Sequence, residues 1–594
     1  MLTEKRLCTL LRIVTVFAIS FCCLFLFPAM RNFIIETGEK MLGPVQINHD
    51  LWMDRILFFL LVAIFCFISI LLSTTKNIQT FLDSNISKVE NIYILASIII
   101  IILSIIVRLI MYTKSRSLWI DEARLAESIV TRNLSELLMP PLANNQSAPV
   151  LYVIFVKLIA VIFGYSEFSL RVFSLLSFLG LLLCESLLMK SAFGYSNFRI
   201  SFVVAMTALL PVYIWYSNEF KPYMSDAFFA VLIILLYYYY TQNKIYNPDS
   251  EHPGIKPPPR INLPLLTVSY ILILGFSSPS IFFIAGTLVF EFLDAAFNKR
   301  KKHIISVIIS GAVILVVFGL YYHWWMSPIQ EFMKAFWNDY DNQFNTNMLS
   351  RIMFIFSPRV GYSNSLFLIF FVPIALFGFF SLCRSANKIA YSVVLSLFFA
   401  LMASAIGYWP MTGRLWLFLP VIILIFTPAG IDFINDKFKH TKILKTMEFL
   451  FIMAINLSLS INSLGYIGSK AYFPKHELNH LISYTQENIK EDEKLYVYSE
   501  SKYTFDFKNG YTATKIGNVV GDNIISAIET IEWNESLYGN VIASILGHRK
   551  VYLLSTLNDD IDKDLEILRN FGTITEVMNT YDTPLYYFEG NTGQ

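Results

Sequence analysis

What most constrains this chain is a succession of apolar runs, each about as long as a bilayer is thick. Crossing ~30 Å of hydrocarbon takes about 20 apolar residues as a helix. "NIYILASIIIIILSIIVRLIMY", Asn91 to Tyr112, is one such run. Others begin near Leu10, Ile56, Phe168, Arg199, Asp226, Asn262, Pro279, His303, Asn364, Ile389, Leu415 and Met447, which makes about thirteen spans in all. A soluble domain carries roughly a quarter charged residues. This chain of 594 residues is 15% charged and 55% hydrophobic, with a mean hydropathy of +0.55. These values predict a mainly α, polytopic membrane protein. A net charge of +2, with no basic block outside short loops, argues against a nucleic-acid partner. The six cysteines sit in or beside apolar runs, or near the N-terminus as Cys8, and read as small buried hydrophobes. No spacing resembles a zinc site.

The run Leu10 to Met30 is longer than a signal-peptide core and lacks a small-residue cleavage pattern, so it reads as a retained span. Lys and Arg gather in alternate connectors: Lys5 and Arg6, Lys76 and Lys88, Lys190 and Arg199, Lys244 to Arg260, Lys299 to Lys302, Arg384 and Lys388, Lys437 to Lys445. All fall on the cytoplasmic side if the N-terminus is cytoplasmic. The apolar stretch Ala148 to Gly164 would reverse every later loop if it spanned, so it is expected to be interfacial or re-entrant. The opposite side then receives residues 114–148, the hinge "YSNEFKPYMSD", the loop 322–363, the turn "GYWPMTGR" and everything after about Gly465. Residues 247–260, rich in proline, read as an extended cytoplasmic linker. The tail alternates short helix and strand patterns, with "NIISAIETIEW" among the helices. It predicts a small extracytoplasmic α/β domain. The expected division is 1–91 as a two-span extension, 92–466 as the membrane domain and 467–594 as the α/β domain.

Three charged clusters lie beside apolar runs on that outer side. "LWIDEA" places Asp121 and Glu122 just after a span. Acids in a first helical turn also suit the dipole, and Trp119 suits a membrane belt. "PVYIWYSNEFKPYMSDAFFAV" carries Glu219, Lys221 and Asp226 around Pro222. A polar turn with a self-neutralising Glu219–Lys221 pair is the plainer account. "GYWPMTGRLWLFLPVII" sets Arg414 at the entry of a span, where snorkelling is the alternative. Taken together, the clusters predict a polar cavity at the membrane surface, suited to an anionic head on a lipid tail. Tyr213, Trp215, Tyr216, Tyr223, Tyr408 and Trp409 lie near it in sequence, as sugar-stacking rings or span-end belts.

In this order the clusters resemble the GT-C superfamily of polytopic glycosyltransferases. The resemblance is to the branch of protein O-mannosyltransferases, the lipid A aminoarabinose transferase and bacterial lipopolysaccharide sugar transferases. "LWIDEA" matches the family's acidic pair, with Asp121 in the catalytic position. "NNQSAPVLYVIF" resembles a His/Lys-Pro-Pro-Leu-Tyr run, but Ser147, Ala148 and Pro149 lack its cation. Gly164, Glu167 and Arg171 match a Gly-x-x-Glu-x-x-x-Arg stretch. "SNEFKPY" matches the second outer motif, and "GRLWLFLPVIILI" the late Arg-containing turn. The resemblance covers about residues 92–430. Two spans precede the superfamily's usual first helix.

The resemblance implies an enzyme, a hexosyl- or pentosyltransferase of the bacterial inner membrane. It would move a sugar from a polyprenyl-phosphate donor to a hydroxyl of lipid A, another envelope glycan or a protein, with inversion. The leaving phosphate departs without a proton, so one base suffices, together with cations for the phosphate. Asp121 is assigned as base and Glu122 to orienting or tuning it, since two adjacent carboxylates are not both ionised without cost, which raises a base's pKa. Lys221 and Arg414 are assigned to the phosphate; Glu219, Tyr223, Asp226 and Tyr408 complete the expected substrate site. No cofactor is required, although a divalent ion is compatible. A lipid-linked-saccharide flippase would predict inverted repeats and mid-span charges; a polysaccharide ligase or polymerase would leave the acidic pair unexplained.

Overall fold

The computed structural model describes residues 76–113, 116–242, 261–339, 365–385, 387–411, 413–438, 478–490 and 492–508. It also describes 515–516, 519–520, 524–526, 542, 545–555, 561–580 and 583–591. The spans expected near Leu10, Ile56 and Met447, and the linker 247–260, lie outside the described residues.

Helices dominate. Among the described residues, six are long and apolar enough to cross a membrane: Glu90–Thr113, Glu167–Ala192, Tyr223–Gln242, Ser280–Phe297, Lys301–Phe336 and Lys388–Ala405. The first belongs to α1 (Lys76–Thr113), which corrects one expectation: the polar stretch holding Lys76 and Lys88 is helical, not a connector. It contains no Pro or Gly, so nothing stops the helix from continuing into it. After α2 (Ile120–Thr131) comes α3 (Val150–Phe163). At 1.5 Å per residue, α3 is about 21 Å long, short of the ~30 Å core. Gly164, at φ 88°, ends it and turns the chain into α4 (Glu167–Ala192), whose first turn is capped by Ser166.

The next span is broken by its sequence. Pro211 has no N–H and its ring crowds the preceding turn, so α5 (Asn197–Leu209) stops and α6 (Pro211–Tyr216) restarts. Arg108 of α1, fully buried, bridges the break. Its guanidinium donates to the Ala208 carbonyl at 2.9 Å and the Ser217 hydroxyl at 3.1 Å, and lies 3.8 Å over the Phe178 ring. Beyond the break, α7 (Tyr223–Gln242), α8 (Leu263–Leu274), α9 (Ser280–Phe297), α10 (Lys301–Tyr321), α11 (Gln330–Asp339), α12 (Ser365–Arg384), α13 (Lys388–Ala405) and α14 (Phe418–Phe438) follow. Small residues let backbones touch where α12 crosses α14: a Cβ on Gly430 would collide with the Ile374 carbonyl oxygen, and one on Gly378 with that of Phe426. Such crossings suit an apolar solvent, where close packing replaces the hydrophobic drive. Outward faces are apolar and exposed, as at Ile98, Ile102 and Leu109 of α1.

The tail forms a mixed sheet. Its strands are β1 (Lys494–Val497), β2 (Ile524–Ser526), β3 (Lys550–Leu554), β4 (Gly572–Thr580) and β5 (Thr583–Gly590), in the order β2-β1-β3-β5-β4. β1 runs parallel to β2 and β3, while β5 is antiparallel to both β3 and β4. The period of two is plain. Leu495 and Val497 face one apolar cluster with Leu481 and Ile482 of α15 (Leu478–Asn488), and Tyr496 faces the other with Leu565 of α17 (Asp562–Leu568). Between them, α16 (Ser499–Lys508) follows β1. Three readings of the tail are corrected. Ile524–Ser526 is a strand, and β4 and α16 were not anticipated. Parallel pairing beside β1 outweighs the helical pattern of "NIISAIETIEW", and the polar edge strand β4 lacks the apolar run that marks a buried strand.

Candidate active site

The three charged clusters meet at one end of the bundle. α2 carries Asp121, the turn between α6 and α7 carries Lys221, and Arg414 sits just before α14. A cavity of about 280 Å³ opens there, with Asp121, Arg124, Lys221, Asp226, Tyr408 and Arg414 in its wall. One Arg414 N–H donates to Asp121 Oδ2 at 2.9 Å, and the guanidinium lies 5.7 Å from the Tyr223 ring centre. Lys221 Nζ donates to Gln146 Oε1 at 2.6 Å. Gln146 belongs to the loop before α3, which also lines the cavity through Ser147, Ala148 and Pro149.

The turn that presents Lys221 is held on all sides. The Phe220 N–H donates to Glu122 Oε1 at 2.6 Å, and the Ser174 hydroxyl donates to the Glu219 carbonyl at 2.6 Å. Pro222 starts α7, where its missing N–H leaves no bond unmade, and its carbonyl takes the Asp226 N–H at 3.0 Å.

Asp121 and Glu122 part company. Consecutive helical side chains point about 100° apart, so Asp121 faces the cavity while Glu122 turns into the protein. Glu122 is fully buried and paired with Arg171, which donates through Nε at 2.8 Å and through a terminal nitrogen at 2.6 Å. Arg116 stands 3.8 Å away. Glu122 therefore does not line the cavity, which corrects its expected place beside the reacting groups. Its partner Arg171 comes from the Gly164–Glu167–Arg171 stretch. Burial works against the Glu122 charge, but Arg171 and Arg116 outweigh it, and the carboxyl stays below its ordinary value.

Asp121 behaves likewise. Burial raises its carboxyl; Lys221, Arg414 and Arg124 more than offset that, and the result is a carboxylate below the usual range. This overturns the expectation that the adjacent acid raises it. Lys221 is pulled down by burial, with Arg414 adding to the effect against Asp121.

Glu219 is also displaced from its expected role. It is buried behind the wall, with the Trp215 indole N–H donating to its Oε2 at 2.6 Å. Burial and the Glu122 charge push its carboxyl up to about 7, against Arg116 and Arg414. Tyr223, Tyr408 and Trp409 line the cavity. Tyr213 does not: its hydroxyl donates to the Leu417 carbonyl at 2.7 Å and accepts the Val421 N–H at 3.1 Å, fixing the start of α14. Tyr408 is 59% exposed at the rim, with Lys334 of α11 5.0 Å from its ring.

Arg124, Gln146 and Lys334 escaped the sequence reading. Arg124 had a signal, since it follows Asp121 by three residues and so shares its helix face. Gln146 lies in the stretch "NNQSAPVLYVIF" but was not singled out there, and Lys334 had no signal, because an amphipathic helix brings it in. Among the described residues, no three His, Cys, Asp or Glu side chains converge as metal ligands would.

No family model matches the sequence. No curated protein matches it either. Among solved structures, the chain is similar to the crystal structure of ArnT from Cupriavidus metallidurans bound to undecaprenyl phosphate. The identity is 11%, with 84% of this chain and 97% of that one covered and a TM-score of 0.42. It is similar in the same way to the apo form of that protein, at 11% identity, covering 82% of this chain and 97% of that one, with a TM-score of 0.45.

Proposed function

We propose that this protein is a membrane glycosyltransferase that moves a sugar from a polyprenyl-phosphate donor to a hydroxyl of an envelope glycan, glycolipid or protein. The observation that carries the reading is the pairing, in one cavity beside an apolar bundle, of the Asp121 carboxylate with Lys221 and Arg414. The motif order set out above supports it.

In this reading the donor phosphate lies against Lys221 and Arg414, and its apolar chain follows the bundle surface. The acceptor oxygen attacks the anomeric carbon from the side opposite the phosphate, inverting that centre. The C–O bond to the phosphate breaks, the phosphate keeps the electron pair, and the acceptor proton passes to Asp121. The cations serve twice. Before donor arrives they hold Asp121 ionised; once a phosphate takes up their charge, Asp121 regains affinity for a proton. The leaving anion is met by guanidinium and ammonium groups, so the chemistry needs no cofactor. The site faces away from the cytoplasm in this reading, at the bacterial inner membrane.

Purified protein supplied with a labelled polyprenyl-phosphate sugar, in excess EDTA, tests the proposal. Wild type transfers the label and Asp121→Asn loses at least about 100-fold in turnover, the scale of a positioned base. Equal turnover removes Asp121 as base. Transfer abolished by EDTA removes the cofactor-free mechanism.

A further inference from the structure

The reaction above uses nothing from the C-terminal sheet, yet a helix of that region reaches the cavity wall. On α16, Tyr503 and Phe507, one turn apart, join the apolar core of the membrane bundle, whereas Phe505 on the opposite side joins the core of the sheet. The polar contacts concentrate on the few residues leading into α2. The Thr504 hydroxyl donates to the Leu118 carbonyl at 2.7 Å, and the Leu478 N–H donates to the Ser117 hydroxyl at 3.0 Å. Beside them, Lys508 pairs with Glu167 at 2.5 Å and the Asn479 amide donates to the same carboxylate at 3.1 Å. Ser117, Leu118, Glu167, Tyr503 and Thr504 are all buried, so this is a packed joint and not a wet rim.

At the centre of the joint the Arg124 guanidinium lies 4.6 Å from the Tyr503 ring centre. Arg124 lines the cavity and its charge acts on Asp121. An arginine seated on an aromatic face gives up much of its rotamer freedom, and its five N–H donors can serve an anion alongside another partner.

We infer that Arg124 is a further phosphate-binding cation of the site, and that Tyr503 of the C-terminal region is its positioning residue. The inference rests on the transferase reading. It makes the C-terminal region part of the donor site instead of an appended module.

Binding of decaprenyl phosphate to the full-length protein in detergent tests it, alongside each variant's melting temperature. Tyr503→Leu keeps apolar bulk and removes the ring; affinity falls by about tenfold, the scale of a desolvated cation–ring contact. Tyr503→Phe keeps the ring and binds as wild type. Arg124→Gln weakens binding at least as much, and adding Tyr503→Leu to it weakens binding no further, because the ring acts through the guanidinium. Wild-type affinity in Tyr503→Leu, equal losses in the Leu and Phe variants, or additive losses in the double variant overturn the inference. If Tyr503→Leu does not fold, Arg124→Gln decides alone: unchanged affinity overturns it. Wild-type protein that binds no decaprenyl phosphate overturns the transferase reading and this inference together; binding by wild type with no loss in Tyr503→Leu overturns this one only.

Discussion

The two ends of the helical bundle are both charged, and they handle charge in opposite ways. At the end away from the cavity, charges close on one another across neighbouring helices. Arg199 of α5 makes a two-pronged pair with Asp432 of α14 at 2.5 and 2.6 Å. Asp294 of α9 binds both Arg300 and Lys388, and Glu291 meets His303 at 2.5 Å. At the cavity end, one acid turns inward and the other charged side chains line a cavity. Glu122 absorbs Arg171, while Asp121 is left among Lys221, Arg124 and Arg414. A wall richer in cations than in charged carboxylates is poised for an anion; a wall of closed pairs is a clasp. Charge near a membrane surface therefore indicates a site where the charged groups line a cavity, not where they only bridge helices.

Breaking the inner pair at the cavity end has the largest expected effect. Arg171→Met leaves Glu122 buried without its main partner and costs about 3–5 kcal/mol, read as a fall in melting temperature and loss of folded protein. A melting temperature equal to wild type would deny Glu122 its structural part. Asp121→Asn comes next, with a turnover loss of at least about 100-fold; because the cations hold its carboxyl below the usual range, losing the charge also lowers the melting temperature. Lys221→Met is expected to lower kcat/KM for the donor by about 100- to 1,000-fold, the range for removing one group that stabilises leaving charge; an effect confined to the acceptor KM would move Lys221 away from the phosphate.

A pH test separates the buried acid behind the wall from the one in it. Glu219 has its folded pKa raised to about 7 by burial and the Glu122 charge, above an ordinary carboxyl near 4.3. The folded state then binds more protons than the unfolded one between those values, so stability falls as pH rises through that window. Glu219→Gln flattens that slope in melting curves taken from pH 5 to 8; an unchanged slope assigns it to other groups. The smallest effect belongs to the far end. Arg199→Ala removes a pair whose Asp432 side chain is 47% exposed, so stability changes by about 1 kcal/mol or less and turnover stays the same. A turnover loss there would erase the contrast between the two ends.

Much of this was legible in the residues. Apolar runs about 20 residues long mark helices because a bilayer core leaves every backbone group to bond within its own segment. Pro211 and Gly164 mark a break and a stop, and the alternation of Leu495, Tyr496 and Val497 marks a strand with both faces covered. The three charged clusters could be named from their neighbours in sequence. Their partners could not. Glu122 differs from Asp121 by one position along the chain, yet Arg171, 49 residues on, claims it. The fate of each carboxylate depends on which way a helix is rotated when it packs, and that angle is settled by contacts with α4, the α6–α7 turn and α16 together. Short-range pattern thus determined the apolar helices of the bundle and the charged segments, but not where α1 begins, nor α16, β2 and β4 in the tail. Only long-range packing decided which acid faces the cavity, which is locked to an arginine, and that Tyr503 reaches the site at all, because those outcomes depend on neighbours from 49 to several hundred residues away in the chain.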